Sequence, residues 1–490
     1  MKQAHTPARV CIISLGCAKN LVDSESMAAL LERAGYRLVT DPDRADAVLV
    51  NTCGFIAPAR EESLAVIRQV RGRDRQRVLV AAGCLAQRIP EELARAGVDA
   101  VVGTGELERL PEVLAACLRT PGRRAADRGA GDAGARSARA VGVWVGRPEV
   151  PLGLPRRLST GVTAYLKIAE GCDRRCTFCI IPRLRGRYRS RPVEELVEEA
   201  RGLVEQGARE LVLVAEDTSR YGQDLYGQAT LPRLLKALAA VDGVAWIRVL
   251  YAYPAGFPLE AARLMADEAK VLPYLDLPLQ HISDHVLSRM GRPYRGDDVR
   301  RLLDRLRAMV PGIVLRSTFL VGFPGETEED FGQLVEFLRQ YRLERAGFFP
   351  FYPEPEAPAA RFPGQVPEEV KKRRLEEVQA VQQEIAVAAN RRLLGREVEV
   401  LVELRARART LSGRREKCGR MSAWGGQGDT QRRAGLPVAV GRWAGQAPEV
   451  DGQVHVIGSE AAPGQFVLAE VQEVRDSDLV AVASGASARD

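Results

Sequence analysis

The sequence predicts a mixed α/β protein of three units: an N-terminal parallel-sheet domain, a central full or partial βα barrel, and a small C-terminal β-barrel. Three observations carry that prediction. Short Val/Ile/Leu-rich runs alternate with amphipathic helical stretches twice, first before residue 119 and again, on a larger scale, from about Thr160. Past Gly395 the pattern changes to short apolar stretches separated by Gly and Pro. At 490 residues the chain also exceeds what one hydrophobic core holds.

In the first unit, residues 1–119, the runs RVCIISL (9–15), ADAVLVN (45–51) and RVLVAAG (77–83) read as strands with helices between them. Residues 120–158 are largely Gly, Ala and Arg without periodicity and read as a linker. In the second unit, 159–391, six strands are expected: TAYLKIAE (163–170), ELVLVAE (210–216), WIRVLYA (246–252), LPYLDLPL (272–279), IVLRSTFLVG (313–322) and RAGFFPF (345–351). A long amphipathic helix over 367–394 leads out of it. The third unit, 392–475, holds VEVLVEL, QVHVIG and QFVLAEV, interrupted by an Arg/Gly-rich insertion over 405–442.

Composition narrows the class. Hydrophobic residues at 46% and charged residues at 28% are ordinary for a globular chain. No N-terminal export pattern is present, and no apolar run approaches the roughly 20 residues that span a bilayer. A cytoplasmic protein with no membrane association is expected. Nine cysteines, an odd number, argue against a disulfide scaffold and for thiols that bind metal or do chemistry. The net charge of +7 suits an anionic partner without establishing one.

Cys172, Cys176 and Cys179 stand within EGCDRRCTFCIIP. A structural zinc site wants four ligands, usually in two pairs, and this spacing supplies three. It suits three corners of a four-iron four-sulfur cluster with one iron left open. Arg174 and Arg175 are expected to help keep the thiols deprotonated. The loop follows the first barrel strand, at the end where βα-barrel sites are built. A zinc site completed by one of the four histidines, His5, His281, His285 or His455, is the alternative. Cys17, Cys53 and Cys84 lie far apart in sequence, but each follows one of the first three strands and each has a neighbouring glycine (Gly16, Gly54, Gly83). In a parallel sheet these loops open at one edge, so three thiols converge on a second cluster site, unless all three are merely buried. Cys11 and Cys117 read as core and Cys418 as incidental.

The first triad, with Phe178 before its third cysteine, resembles the signature of the radical SAM (S-adenosylmethionine) superfamily. That resemblance implies an open iron that chelates the amino and carboxylate groups of SAM and a reaction that yields a 5′-deoxyadenosyl radical. The three-cysteine N-terminal unit, the radical SAM unit and the small barrel together resemble the methylthiotransferase family, whose C-terminal barrel is called the TRAM domain. The resemblance spans nearly the whole chain, apart from the linker and the insertion. It implies two four-iron four-sulfur clusters, on Cys17, Cys53 and Cys84 and on Cys172, Cys176 and Cys179, with SAM as cofactor. It further implies that Phe178, Glu216, Asp217, Gly322, Gly325 and Glu326 line the SAM pocket. The family usually has glutamine where this chain has Glu216, and an EEGT-like stretch where this chain reads FYPEPEAPAARF.

GCAKNLVDSE (16–25) and LDLPLQHISDHVLSRMGRPY (275–294), with Asp276, Gln280 and His281 at a strand end, resemble the branch that modifies an aspartate of small-subunit ribosomal protein S-twelve. The other branch acts on adenosine in transfer RNA. The charge of the C-terminal stretch agrees with a basic protein substrate. From Trp443 to Asp490 eight acids face only Arg475 and Arg489, a local net of −6, whereas an RNA-binding barrel is expected to be basic. The insertion, with ten Lys/Arg against two acids, reads either as a solvated loop or as a ribosomal RNA contact. A flavodoxin- or ferredoxin-like protein is expected as electron donor. A non-enzymatic iron–sulfur RNA-binding or electron-transfer protein is the remaining reading.

Overall fold

The computed structural model describes residues 7–119, 141–159, 161–407 and 436–486. Its N-terminal sheet is all parallel, with strands β1 (Arg9–Ser14), β2 (Arg37–Leu38), β3 (Ala47–Thr52), β4 (Val78–Gly83), β5 (Ala100–Val102) and β6 (Gly142–Trp144) in the order β2-β1-β3-β4-β5-β6. Helices α1 (Ala18–Arg33), α2 (Ala57–Arg73), α3 (Cys84–Arg88), α4 (Pro90–Arg95) and α5 (Leu110–Arg119) accompany it. Both β3 and β4 are buried along their whole length, which is why they read as unbroken apolar runs. Met27, Leu31, Val113 and Leu114 pack one core of the domain, and Leu64, Ile67 and Val70 pack the other. The sequence pattern revealed β1, β3 and β4. It missed β2, β5 and β6, which are only two or three residues long. Of these, β6 falls inside the expected linker and extends the sheet by pairing with β5; residues 120–140 of that linker lie outside the described residues.

The central sheet contains β7 (Thr163–Lys167), then, after the short strands β8 (Ala169–Glu170) and β9 (Arg189–Ser190), β10 (Glu210–Val214), β11 (Trp246–Val249), β12 (Val271–Asp276), β13 (Val314–Val321) and β14 (Arg345–Pro350). The six long strands are parallel, in the order β7-β10-β11-β12-β13-β14, with β7 and β14 as edges, so the barrel is partial. Around it run α6 (Ile181–Arg185), α7 (Val193–Glu205), α8 (Gln223–Tyr226), α9 (Leu231–Ala239), α10 (Leu259–Asp267), α11 (Asp284–Arg289), α12 (Gly296–Met309), α13 (Glu328–Tyr341) and α14 (Glu368–Arg391). The stretch 163–170, expected as one strand, divides after Lys167. Its second part, β8, pairs antiparallel with β9, and these two frame the loop that carries Cys172, Cys176 and Cys179.

The last domain is a closed barrel of β15 (Glu397–Arg407), β16 (Pro437–Trp443), β17 (Val454–Ile457), β18 (Phe466–Arg475) and β19 (Asp478–Ala486). Two strands depart from the expected bounds: β16 lies within the stretch read as an insertion, and β19 lies beyond residue 475. An Arg/Gly-rich neighbourhood masked the first, and small residues (VAVASGA) thinned the apolar signal of the second. Residues 408–435, with Cys418, lie outside the described residues. Among the described residues no helix is long and apolar enough to cross a membrane.

The small barrel packs against the first residues of β7, β10 and β11 and against Tyr274 of β12. Leu401 and Phe466 join Tyr165, Val212, Trp246 and neighbours in one core, with Trp246 edge-on to Phe466 at 5.1 Å between ring centroids. At its centre Glu210 is fully buried between Arg248, at 2.8 Å, and Arg442 of β16, which also reaches Glu403 at 2.7 Å. Burial alone would raise the Glu210 carboxyl, but the two guanidinium groups pull it down to about 2. Stability from these pairs is therefore complete above pH 4.5 and is lost as pH falls toward 2. Arg442→Met is expected to destabilise the chain by about 3–5 kcal/mol, because it strips one partner from a buried carboxylate. Urea unfolding at neutral pH checks the loss, and the acid-dependent limb should shrink with it.

Candidate functional site

Chain geometry at the barrel triad is set by backbone. Gly171 has φ +76, and a Cβ there would lie 2.1 Å from the Arg187 carbonyl oxygen. Only glycine permits the loop to pass this close. Thr177 anchors the middle of the loop, donating its amide to Met290 O (3.1 Å) and its hydroxyl to Arg289 O (2.8 Å). Phe178 packs beside Val286, Met290, Phe323 and Phe351, which turns the aromatic residue of the motif inward.

The amides of Arg174 and Ile181 donate to the sulfurs of Cys172 (3.4 Å) and Cys179 (3.5 Å). Burial pushes these two thiols up to about 11 and about 12, while the amide donors pull the other way. The expected role of Arg174 and Arg175 is corrected here. Arg174 binds Asp217 at 2.8 Å and lies 3.9 Å from the centre of the Tyr253 ring, and Arg175 is exposed. The cation that favours the Cys179 thiolate is the buried Arg292, 113 residues on in the chain. Arg292 lies in the singled-out stretch 275–294, but the sequence reading gave it no role.

Cys17 caps the start of α1, Cys53 follows β3, and Cys84 opens α3 directly after β4. The neighbouring glycines make room for protein atoms of the adjoining loops and strands. A Cβ on Gly16 would stand 3.0 Å from Cys53 Sγ, one on Gly54 would stand 2.8 Å from Leu85 Cα, and one on Gly83 would stand 2.2 Å from Asn51 Oδ1. The three loops thus meet. Burial drives the Cys84 thiol up to about 12, Arg185 opposes it, and Cys17 and Cys53 lie near enough to raise it further. Cys11 sits elsewhere, in the core against Thr40 O, and Cys117 packs against the other core.

The remaining expected residues take different places. The Glu216 side chain is buried, 3.9 Å from Lys19, and both its oxygens lack a hydrogen-bond partner among the described residues. Asp217 is spent on Arg174 and Ser219. Glu326 pairs with Arg374 of α14 at 3.0 Å, and Gly322 and Gly325 face Lys371 and Arg289, where they shape a turn. An open cleft of about 600 Å³ lies beside the cysteine loop, lined by Asp173, Arg174, Arg175, Arg220 and Tyr253 among others; Glu216, Gly322, Gly325 and Glu326 do not line it.

Asp276, Gln280 and His281 do not cluster. Asp276 holds Arg316 (3.1 Å) and the Tyr251 amide, and Gln280, at φ +71, bridges to Phe319 of β13. His281 is fully buried, accepts from Ser283 N at Nδ1, and leaves Nε2 unpartnered; burial lowers it from 6.5 to about 3. The unfolded chain thus takes up this proton first. Stability is fully present above pH 6.5 and falls as pH drops toward 3. His281→Leu is expected to flatten that slope, as read from urea midpoints across the range.

The segment FYPEPEAPAARF turns out to tie the cysteine domain down. Glu354 accepts from Ala57 N (2.7 Å) and from Arg88 (2.6 Å), four residues after Cys84, and Arg88 also holds Glu356. The acidic C-terminal stretch is partly spent inside the protein. Asp451 is buried and accepts from Tyr274 and the Ala447 amide, while Glu449, Glu460, Glu470 and Asp476 remain exposed; Asp490 lies outside the described residues.

Chemically, each triad offers three free thiols without a disulfide, and the barrel triad adds backbone amides aimed at sulfur. No group of three or more His, Cys, Asp or Glu among the described residues is spaced to hold a single metal ion.

Family models match three parts of the chain: the radical SAM superfamily over residues 166–338, an uncharacterized protein family termed UPF0004 over 9–103, and the TRAM domain over 431–483. The "ribosomal protein uS12 methylthiotransferase RimO" of Desulforudis audaxviator is 47% identical over 483 residues, covering 96% of each chain. Proteins of the same name from Moorella thermoacetica and Symbiobacterium thermophilum are each 44% identical, covering 95% and 98% of this chain and 97% and 92% of their own. Among solved structures, the radical SAM methyltransferase TsrM of Kitasatospora setae aligns with a TM-score of 0.51 at 21% identity, over 72% of this chain and 77% of its own, a likeness of fold.

Proposed function

The chain belongs to the family of the uS12 methylthiotransferases RimO, and from that premise we propose that it attaches a methylthio group to the β-carbon of an aspartate in ribosomal protein uS12. The observation that carries the reading is that two cysteine triads, one from each α/β domain, flank a single buried interface in a chain that aligns end to end with those enzymes.

The residues present fit two four-iron four-sulfur clusters and SAM. Cys172, Cys176 and Cys179 would hold one cluster and Cys17, Cys53 and Cys84 the other, while the Glu216 carboxylate, which makes no hydrogen bond among the described residues, faces the Lys19 ammonium at 3.9 Å. When bound, the barrel cluster with SAM supplies the radical that activates an unreactive C–H bond, and the N-terminal cluster supplies the site for sulfur. The protein's own work is positional. Amide donors and Arg292 stabilise negative charge on the barrel sulfurs, Phe178 packs the loop onto the barrel's aromatic cluster, and Glu354 with Arg88 fixes the N-terminal loops against the barrel.

The partners proposed are uS12 as substrate and a reduced flavodoxin- or ferredoxin-like protein as electron donor. The exposed acids of the small barrel support a basic protein substrate. Comparing intact uS12 from cells with and without this gene tests the reading. The protein from cells lacking it is expected to be lighter by about 46 Da, the mass of SCH3 in place of H. Equal masses would rule it out.

A further inference from the structure

We propose that Arg185 is a positioning residue that, through Asn20, holds the N-terminal cysteine triad at a set separation from the barrel triad. This inference rests on the function proposed above, in which the two triads act on one substrate.

Arg185 ends α6, six residues after Cys179, and its side chain is 1% exposed. One arm of its guanidinium grips both oxygens of Glu170, at 3.0 and 3.1 Å. Glu170 stands two residues before Cys172, so this contact closes the base of the loop that carries the barrel triad. The other arm crosses into α1, to Asn20 Oδ1 at 2.7 Å and Asp23 at 2.9 Å. Asn20 in turn touches all three N-terminal cysteine loops. Its Nδ2 donates to Leu15 O (2.9 Å), ahead of Cys17, and to Thr52 O (3.0 Å), ahead of Cys53. Its Oδ1 lies 3.6 Å from the Cys84 sulfur, so the amide side chain stands against the third loop as well.

Charge alone is balanced by a buried quartet, since Lys167 also pairs with Glu170 and with Asp23, each at 2.6 Å, so that two cations face two carboxylates; the contact to the neutral Asn20 amide adds nothing to that balance. The planar fork does more, since it spans two domains in one rigid geometry that a lysine could not copy. Small displacements matter for such a device, because an error of about 1 Å between reacting groups can cost about a hundredfold in rate. Sequence could not pair these residues, which lie 165 positions apart.

The test uses the full-length reconstituted protein, its Arg185→Lys variant and its Asn20→Ala variant. Three quantities are read: iron per chain, methylthio product per 5′-deoxyadenosine formed, and the magnetic interaction between the two reduced clusters by electron paramagnetic resonance. Both variants are expected to keep their iron and to cleave SAM, with product per 5′-deoxyadenosine reduced by about tenfold or more and a changed magnetic interaction. An unchanged product ratio with unchanged magnetic interaction would overturn the proposal. So would equal loss of iron from both triads, which marks a merely structural role. Should Arg185→Lys fail to fold, Asn20→Ala, which leaves the Arg185–Glu170 contact in place, decides alone. If the parent protein carries iron on only one triad, the proposed function itself fails, before any variant is compared.

Discussion

Alanine at Cys172, Cys176 and Cys179 together is expected to abolish 5′-deoxyadenosine formation and to lower the iron content from about eight to about four atoms per chain. On the proposed function the three thiols are the whole protein ligand set of that site, so no partial cluster should persist. The fold should survive the change. The loop is anchored by Thr177 on α11, by the Gly171 turn and by the Arg185–Glu170 contact, none of which uses sulfur. Unaltered thermal melting alongside absent 5′-deoxyadenosine is therefore the expected pair of results. Retention of all the iron would place the cluster elsewhere.

Alanine at Cys17, Cys53 and Cys84 should produce a different loss. About four irons should again remain, but now 5′-deoxyadenosine formation continues while the methylthio product disappears. The asymmetry follows from the architecture, because the amide donors, Arg292 and Phe178 that serve the barrel triad all belong to the barrel domain. Neutral side chains would also leave Arg185 with fewer thiols to balance, but Glu170 and Asp23 still pair with it. Chemical iron assay and chromatography of 5′-deoxyadenosine on the same samples separate the two triads. Full iron in this variant would mean that the second site does not exist as described.

How much of this was legible in sequence depended on the range of the interaction. Cys172, Cys176 and Cys179 are local, so their spacing alone pointed to a cluster with an open corner. Cys17, Cys53 and Cys84 are distant, yet parallel strands bring their ends to one edge, and strand periodicity made that edge predictable. Elements too short to show a period, such as β2, β5 and β6, were not legible, and neither was β16 beside its basic neighbourhood. Polar partnerships were the least legible. Arg185 with Asn20, Arg88 with Glu354 and Arg292 beside Cys179 join residues far apart in the chain, and although Asn20, Glu354 and Arg292 lie in singled-out stretches, nothing local names their partners. Asp451 shows the converse, an acid counted toward a surface charge that is in fact buried beneath Tyr274.

The central claim is the identity of the acceptor, and one reaction vessel tests it. Reduced, reconstituted enzyme is given SAM, a sulfide source, purified uS12 and bulk transfer RNA together, and both macromolecules are analysed by mass spectrometry. The expected result is a gain of about 46 Da on uS12, placed on an aspartate by fragmentation, with transfer RNA unchanged. Methylthiolated adenosine in the transfer RNA with unmodified uS12 would contradict the account.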